Sequence, residues 1–202
     1  MISTAQPKVT SPVGEYYLRG VMEMASGFKL NDDHSFEFFF SYGALDRMGG
    51  GRWKQQGDSI VFNSNDKPGP DFSLLESKKT EQKGITIQVV DSNSIFLKSV
   101  YCIITGEGKT QEALADAEGV INFKSQKIDR MEFMFEFCPE KKSVFNFGAT
   151  DNNSFQIGFQ PWMMDVFFKD AVLKLKENKL VGQHPLLREG DYEFRRANHE
   201  EN

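Results

Sequence analysis

Along residues 35–41 the apolar positions fall on every second residue. Phe36, Phe38 and Phe40 point one way, Glu37 and Ser41 the other. A period of two is that of a half-buried strand. Phe39 interrupts the polar side, which predicts cover on both faces of this strand. The alternation returns at 85–89 with Ile85, Ile87 and Val89, and at 130–137, where Met131, Phe133, Phe135 and Phe137 oppose Glu132 and Glu136. It returns again at 171–176, where Ala171, Leu173 and Leu175 oppose Lys174 and Lys176. Shorter strands are expected at 14–20, 52–56, 59–63, 100–105, around Ile121 and Phe123, and at 144–147, 155–159 and 191–195. Turn clusters punctuate them: Asn31-Asp32-Asp33, Gly57-Asp58, residues 65–71 with Pro68 and Pro70, and residues 91–94, 139–143 and 177–179. The pattern predicts an all-β protein.

Composition agrees. The chain has 202 residues, enough for one large all-β domain or two small ones. It carries 19 Phe and 17 Gly, and Phe favours pleated, half-buried surfaces. A net charge of −5 argues against nucleic acid or an anionic membrane surface as partner, since both call for a basic face. The lysine pairs Lys78–Lys79 and Lys141–Lys142 read as solvated positions. Cys102 and Cys138 read as two buried thiols, with a cross-strand disulfide as the alternative. No stretch reaches the ~18 apolar residues of a membrane-spanning helix. The first residues show no basic-then-apolar leader. The expected compartment is the cytoplasm, or the cell envelope if a leader has been removed.

Two short motifs stand out between strand-like segments: YGALD at 42–46 and GRW at 51–53. Within the run 26–64 they resemble the N-terminal signature SG…L…F.F…YGALD…GRW…GD of a family of uncharacterised bacterial proteins. That resemblance implies no activity. Residues 82–148 resemble a carboxypeptidase-regulatory, or transthyretin-like, β-sandwich, through the acid–x–x–Gly turn Asp116-Ala117-Glu118-Gly119 leading to Ile121 and Phe123. Such domains are mostly structural or binding modules, and the threonine usual before the aspartate is Ala115 here. The G-x-Y-x-L-x-G run at 14–20, with the later G-x-W, resembles a lipocalin. The expected organisation is a lipocalin-like or sandwich-like module from 13–81 plus 149–196, a transthyretin-like sandwich at 82–148, and flexible termini at 1–12 and 197–202.

Candidate chemistry is sparse. Gly106-Glu107-Gly108-Lys109-Thr110 fails as a phosphate loop, because the glycine required five residues before the second glycine is Ile103. It reads as a strand–strand turn. Apart from Asp32 and Asp33 in the turn before His34, the residues His34, His184 and His199 lack partners at ligand spacing, so neither a metal nor a cofactor is expected. No G-x-S-x-G is present. The residues that would form a site are Tyr42, Asp46, Arg47, Arg52 and Trp53, gathered about a Gly49-Gly50-Gly51 turn to orient a polar or sugar-like ligand. The structural alternative is that Trp53 plugs the core while Asp46 and Arg47 pair and cap the turn. Trp162, Met163, Met164 and Phe167 form the densest apolar cluster, suited to a core or to a patch for a protein partner or a second copy of the chain. The leading expectation is a non-enzymatic binding or structural module of a bacterial cell. The alternatives are a carrier of a small apolar ligand in an aromatic-lined cavity and, more weakly, a hydrolytic or carbohydrate-active enzyme.

Overall fold

The computed structural model describes residues 11–197. The termini read as flexible, 1–12 and 197–202, lie almost wholly outside the described residues. The protein is all-β and forms two compact units. One is built from the residues up to Lys67 and from Met164 onward; the other is Pro68–Met163.

The chain first lays down an antiparallel meander of β1 (Gly14–Arg19), β2 (Met24–Leu30), β3 (Ser35–Tyr42), β4 (Leu45–Gln56) and β5 (Ser59–Asn63). It then builds the second unit from β6 (Phe72–Lys78), β7 (Ile85–Val90), the single-turn helix α1 (Ser94–Leu97), β8 (Val100–Gly106), β9 (Lys109–Leu114), β10 (Val120–Phe123), β11 (Ile128–Phe135), β12 (Cys138–Thr150) and β13 (Ser154–Phe159). It returns with β14 (Ala171–Lys176), β15 (Lys179–Gln183) and β16 (Asp191–Arg196). β14 pairs with β5, and β16 pairs with β1, so eight strands close into a barrel. Closure leaves no strand edge exposed. An eight-stranded barrel is just wide enough for side chains to fill it, and aromatic rings do so here. Phe28 lies 4.9 Å from both Phe38 and Phe62 and 5.0 Å from Phe194, ring centre to ring centre. Phe168, on the return segment rather than on a strand, completes the plug at 5.2 Å from Phe38.

The way out of the barrel and the way back are fastened together. The Ser64 N–H donates to Phe168 O at 2.9 Å, and the Phe168 N–H donates to Ser64 Oγ at 3.0 Å. Asn63 and Asp170 bond reciprocally beside them. The return segment also lies against β4, where the Val166 N–H donates to Met48 O at 2.7 Å. Gly49-Gly50-Gly51 is therefore no turn. It lies inside the twelve-residue strand β4, at points where backbone approaches backbone. A Cβ at Gly49 would stand 2.6 Å from Val166 O, and one at Gly51 2.2 Å from Asn63 O.

The second unit is two four-stranded sheets, β10-β7-β13-β6 and β12-β11-β8-β9. They pack face to face through Phe72 on Phe133 at 5.7 Å and Phe135 on Phe159 at 4.9 Å. β13 runs parallel to β7 and antiparallel to β6. That pairing puts β6 and β13 in the inserted unit, where the sequence reading places 68–81 and 149–163 with the outer one. Asp116 Oδ1 accepts the N–H groups of Glu118 and Val120, and Gly119 takes φ +79°, making the acid–x–x–Gly turn between β9 and β10. The Gly106–Thr110 loop is a β8–β9 hairpin, with Glu107 and Gly108 both at positive φ. Residues 139–143 do not turn the chain but belong to β12. β12 is an edge strand, so Pro139 needs no ladder donor there. Cys102 and Cys138 are both buried and form no disulfide. No helix among the described residues is long and apolar enough to cross a membrane.

Candidate functional site

The five residues expected to share a site are spread along β3 and β4. Tyr42 ends β3 and is 47% exposed. Asp46 is exposed and in register with Ser41, on the other face of the hairpin from Tyr42. Arg47 is buried opposite Phe40, and its Nε donates to Met164 O at 3.1 Å. Arg52 and Trp53 lie six and seven residues on from Asp46, ~20 Å along a strand, and both engage the β2–β3 turn. Arg52 donates to Asp33 O at 2.7 Å. Trp53 is buried in the barrel, donates from its indole to Asn31 O at 3.2 Å, and rests against the His34 ring at 4.6 Å. The structure thus brings Arg52 and Trp53 to the β2–β3 turn, but gathers none of Tyr42, Asp46 and Arg47 there, and the register sets Tyr42 and Asp46 on opposite faces of the β3–β4 hairpin.

The apolar cluster at 162–168 is divided between the two units. In the inserted unit Met163 is buried, and its carbonyl accepts from Lys141 Nζ at 2.7 Å and Cys138 Sγ at 3.4 Å. Trp162 is half-buried and donates to Pro70 O. Lys141 Nζ also lies 3.4 Å from the buried Asp71 carboxylate. In the barrel unit Met164 and Phe167 are half-buried. Phe167 borders a groove of about 290 Å³ along Met48–Gly51, Ser64 and Asn65.

A second groove, of about 330 Å³, lies on the outer wall of the barrel. Besides Phe28 and Phe38, its lining residues fall in two cross-strand rows: Tyr17, Phe39 and Met48, joined through Gly27, and Glu15, Lys29 and Glu37. The Tyr17 and Phe39 rings lean over Gly27, 6.1 Å apart and edge-on. A Cβ on Gly27 would stand 2.8 Å from Phe39 Cε1 and 3.2 Å from Tyr17 Cδ1, so the glycine is what lets the rings meet. Phe39 is therefore covered only in part, by Tyr17, and the outer face of β3 is open. Glu15 accepts the Tyr17 hydroxyl at 2.8 Å, which raises the phenol pKa, and stands 4.0 Å from Lys29 Nζ. Glu37 makes no ion pair or hydrogen bond among the described residues. The one trace of this groove in the sequence is Phe39, on the polar side of an otherwise alternating strand.

His184 was not singled out for a role by spacing, yet its imidazole is buried in the barrel. It is buried among Phe38, Phe40, Tyr192 and Phe194, stacked on the last at 5.7 Å. Its Nδ1 accepts the Leu186 N–H at 3.0 Å, which leaves the proton on Nε2, 3.0 Å from Ser26 Oγ. Ser26 in turn donates to Phe39 O at 2.8 Å. Burial lowers the pKa to about 4. Burial also pushes the Cys102 thiol up, the reverse of an activated nucleophile. The carboxylates held below their ordinary range are tied to neighbours: Glu132 to Lys142, Glu193 to Lys179 and Asp33 to Ser35. Among the described residues no three His, Cys, Asp or Glu side chains are grouped to hold a metal ion.

These features define an all-β protein in which a filled, closed barrel carries an inserted two-sheet unit, with shallow grooves on the barrel wall. No protein-family model, curated protein or solved structure matches the chain.

Proposed function

We propose that the protein is a non-enzymatic binding or structural module of a bacterial cell, with a lipocalin-like barrel and a transthyretin-like inserted sandwich. It belongs with the bacterial family whose N-terminal signature its YGALD and GRW motifs resemble. The observation that carries this reading is the packed barrel interior. Phe36, Phe38 and Phe40 are at most 6% exposed, and Phe168 is wedged against Phe36 and Phe38. A carrier of an apolar molecule needs a cavity of ~300 Å³ or more bounded by such rings; here each ring is in contact with another ring. The most perturbed side chains, Cys102 and His184, are sealed in cores rather than turned toward a groove, which favours structural roles over catalytic ones.

Native mass spectrometry of the purified protein, with a thermal-shift screen against fatty acids, sugars, nucleotides and metal ions, tests this. The expected result is the bare chain mass, alone or as an oligomer, and an unmoved midpoint. A small molecule that copurifies, or a reproducible upward shift, would overturn it.

A further inference from the structure

We propose that residues 165–169 of the return segment are a side gate of the barrel. The gate swings out as one piece while the eight strands stay paired, and it withdraws Phe168 from the lumen. This goes beyond the reading of the chain as a binding module, because it gives the barrel a second, open state. Four observations carry it. First, the wall is incomplete where the segment lies. β4 pairs with β5 only from Arg52 onward, with Arg52 facing Asn63, so Leu45–Gly51 extend past the end of β5. The segment covers that side of β4 through one isolated bridge, Gly49 with Val166. Second, its seat is bare backbone. Gly49, Gly50 and Gly51 present no side chain to grip it, and a Cβ at Gly49 would stand 2.6 Å from Val166 O and 2.9 Å from Phe168 Cε2. The groove of about 290 Å³ follows this seam, past Asp165, Val166 and Phe167.

Third, both ends are pinned at residues that can act as hinges. The Met164 carbonyl accepts from Nε of the buried Arg47 at 3.1 Å. Asp170 is clasped to Asn63 by two hydrogen bonds and takes φ +48°, in the sparsely populated left-handed region. Hinges are loop positions of this kind, which absorb a backbone rotation while their neighbours move. Fourth, the barrel core does not depend on the ring the gate carries. Phe168 lies 5.1 Å from Phe36 and 5.2 Å from Phe38. Without it Phe28 still meets Phe38 and Phe62 at 4.9 Å, and Phe36 still meets Phe62 at 5.0 Å. Opening therefore bares a ring-sized apolar space bounded by strand residues, which the shut gate fills with a side chain of the chain itself.

The test is amide hydrogen exchange of the 15N-labelled full chain at pH 7.5, repeated in urea below the unfolding transition. The reporters are Ser64, Val166 and Phe168, whose N–H groups donate to Phe168 O, Met48 O and Ser64 Oγ. All three should share one protection factor, about tenfold or more below that of the slowest amides of β2 and β3. It should hardly change with urea, because the opening bares little surface. Ser64→Ala should lower the protection of Val166 about fivefold, although the Val166 acceptor is untouched, since the segment opens as a unit. Ile60→Val, on β5 in the barrel core, should lower the β2 and β3 amides about fivefold and leave the reporters unmoved. Reporters that differ from one another, that follow the β2 and β3 amides in urea or in Ile60→Val, or a Val166 amide indifferent to Ser64→Ala would each overturn the gate. Its failure is separable from that of the broader reading, which is judged by copurifying ligand or midpoint shift and not by these amides.

Discussion

Acidification should loosen the barrel through His184 well before the carboxylates titrate. In the folded barrel the ring is neutral, because Nδ1 is occupied by the Leu186 N–H and the surroundings are four aromatic rings. Its pKa is about 4, against an ordinary 6.5. A base with a depressed folded pKa is bound by more protons in the unfolded chain, so stability is full above pH 6.5 and falls as pH drops toward 4. At ~1.4 kcal/mol per pH unit across that window, the loss is about 2 kcal/mol by pH 5 and about 3 kcal/mol by pH 4. The chain has two tryptophans, Trp53 in the barrel and Trp162 in the inserted unit, so Trp162→Phe leaves a barrel-specific fluorophore. Urea unfolding of that variant should show a midpoint about 1 M lower at pH 5 than at pH 7.5. Because the exposed His34 ring lies 4.6 Å from Trp53, the midpoint rather than the emission intensity is the readout. His184→Gln retains a donor toward Ser26 but does not titrate. It should be less stable at pH 7.5, yet its midpoint should hold between pH 7.5 and 5. A wild-type midpoint that does not move, or a His184→Gln midpoint that falls equally, would refute the reasoning.

Three other perturbations follow from the packing. Phe168→Ala should cost about 3–5 kcal/mol and open a dry cavity in the barrel; benzene should then raise the variant's melting midpoint and leave the wild type unmoved. Gly51→Ala should lower the barrel midpoint far more than Gly50→Ala, because its Cβ would stand 2.2 Å from a backbone oxygen where the other meets one at 3.1 Å; the Trp53 signal compares them, and equal effects would contradict the close approach. Asp116→Ala removes the acceptor of two turn N–H groups and should cost about 1–3 kcal/mol, seen as a lower unfolding midpoint by Trp162 emission in a Trp53→Phe background.

The alternation of Phe36, Phe38 and Phe40, of Met131, Phe133 and Phe135, and of Ala171, Leu173 and Leu175 was enough to predict strands, because burial of one strand face is written in the nearest neighbours of each residue. The hairpins at Gly57-Asp58 and Glu107-Gly108 and the turn at Asp116–Gly119 were legible for the same reason. Strands with weak or mixed burial left no such mark. β9 is a polar edge strand, β6 an edge strand buried on few positions, and β2 turns Ser26 inward to meet His184. Tertiary structure alone decided the rest. Ser26 and His184 are 158 residues apart, and Phe168 reaches the barrel only because the inserted unit returns the chain beside Ser64. A glycine triplet that reads locally as a turn is instead strand, since the reason for it lies in backbone from 63 and 166 pressing on β4. The outer groove depends on register: Tyr17, Gly27, Phe39 and Met48 come from four strands, and a shift of one residue in any of them would turn that strand's contribution to the other face. Local periodicity encodes which residues are strand, whereas contact between distant segments is fixed by pairing and closure, which no short window of sequence contains.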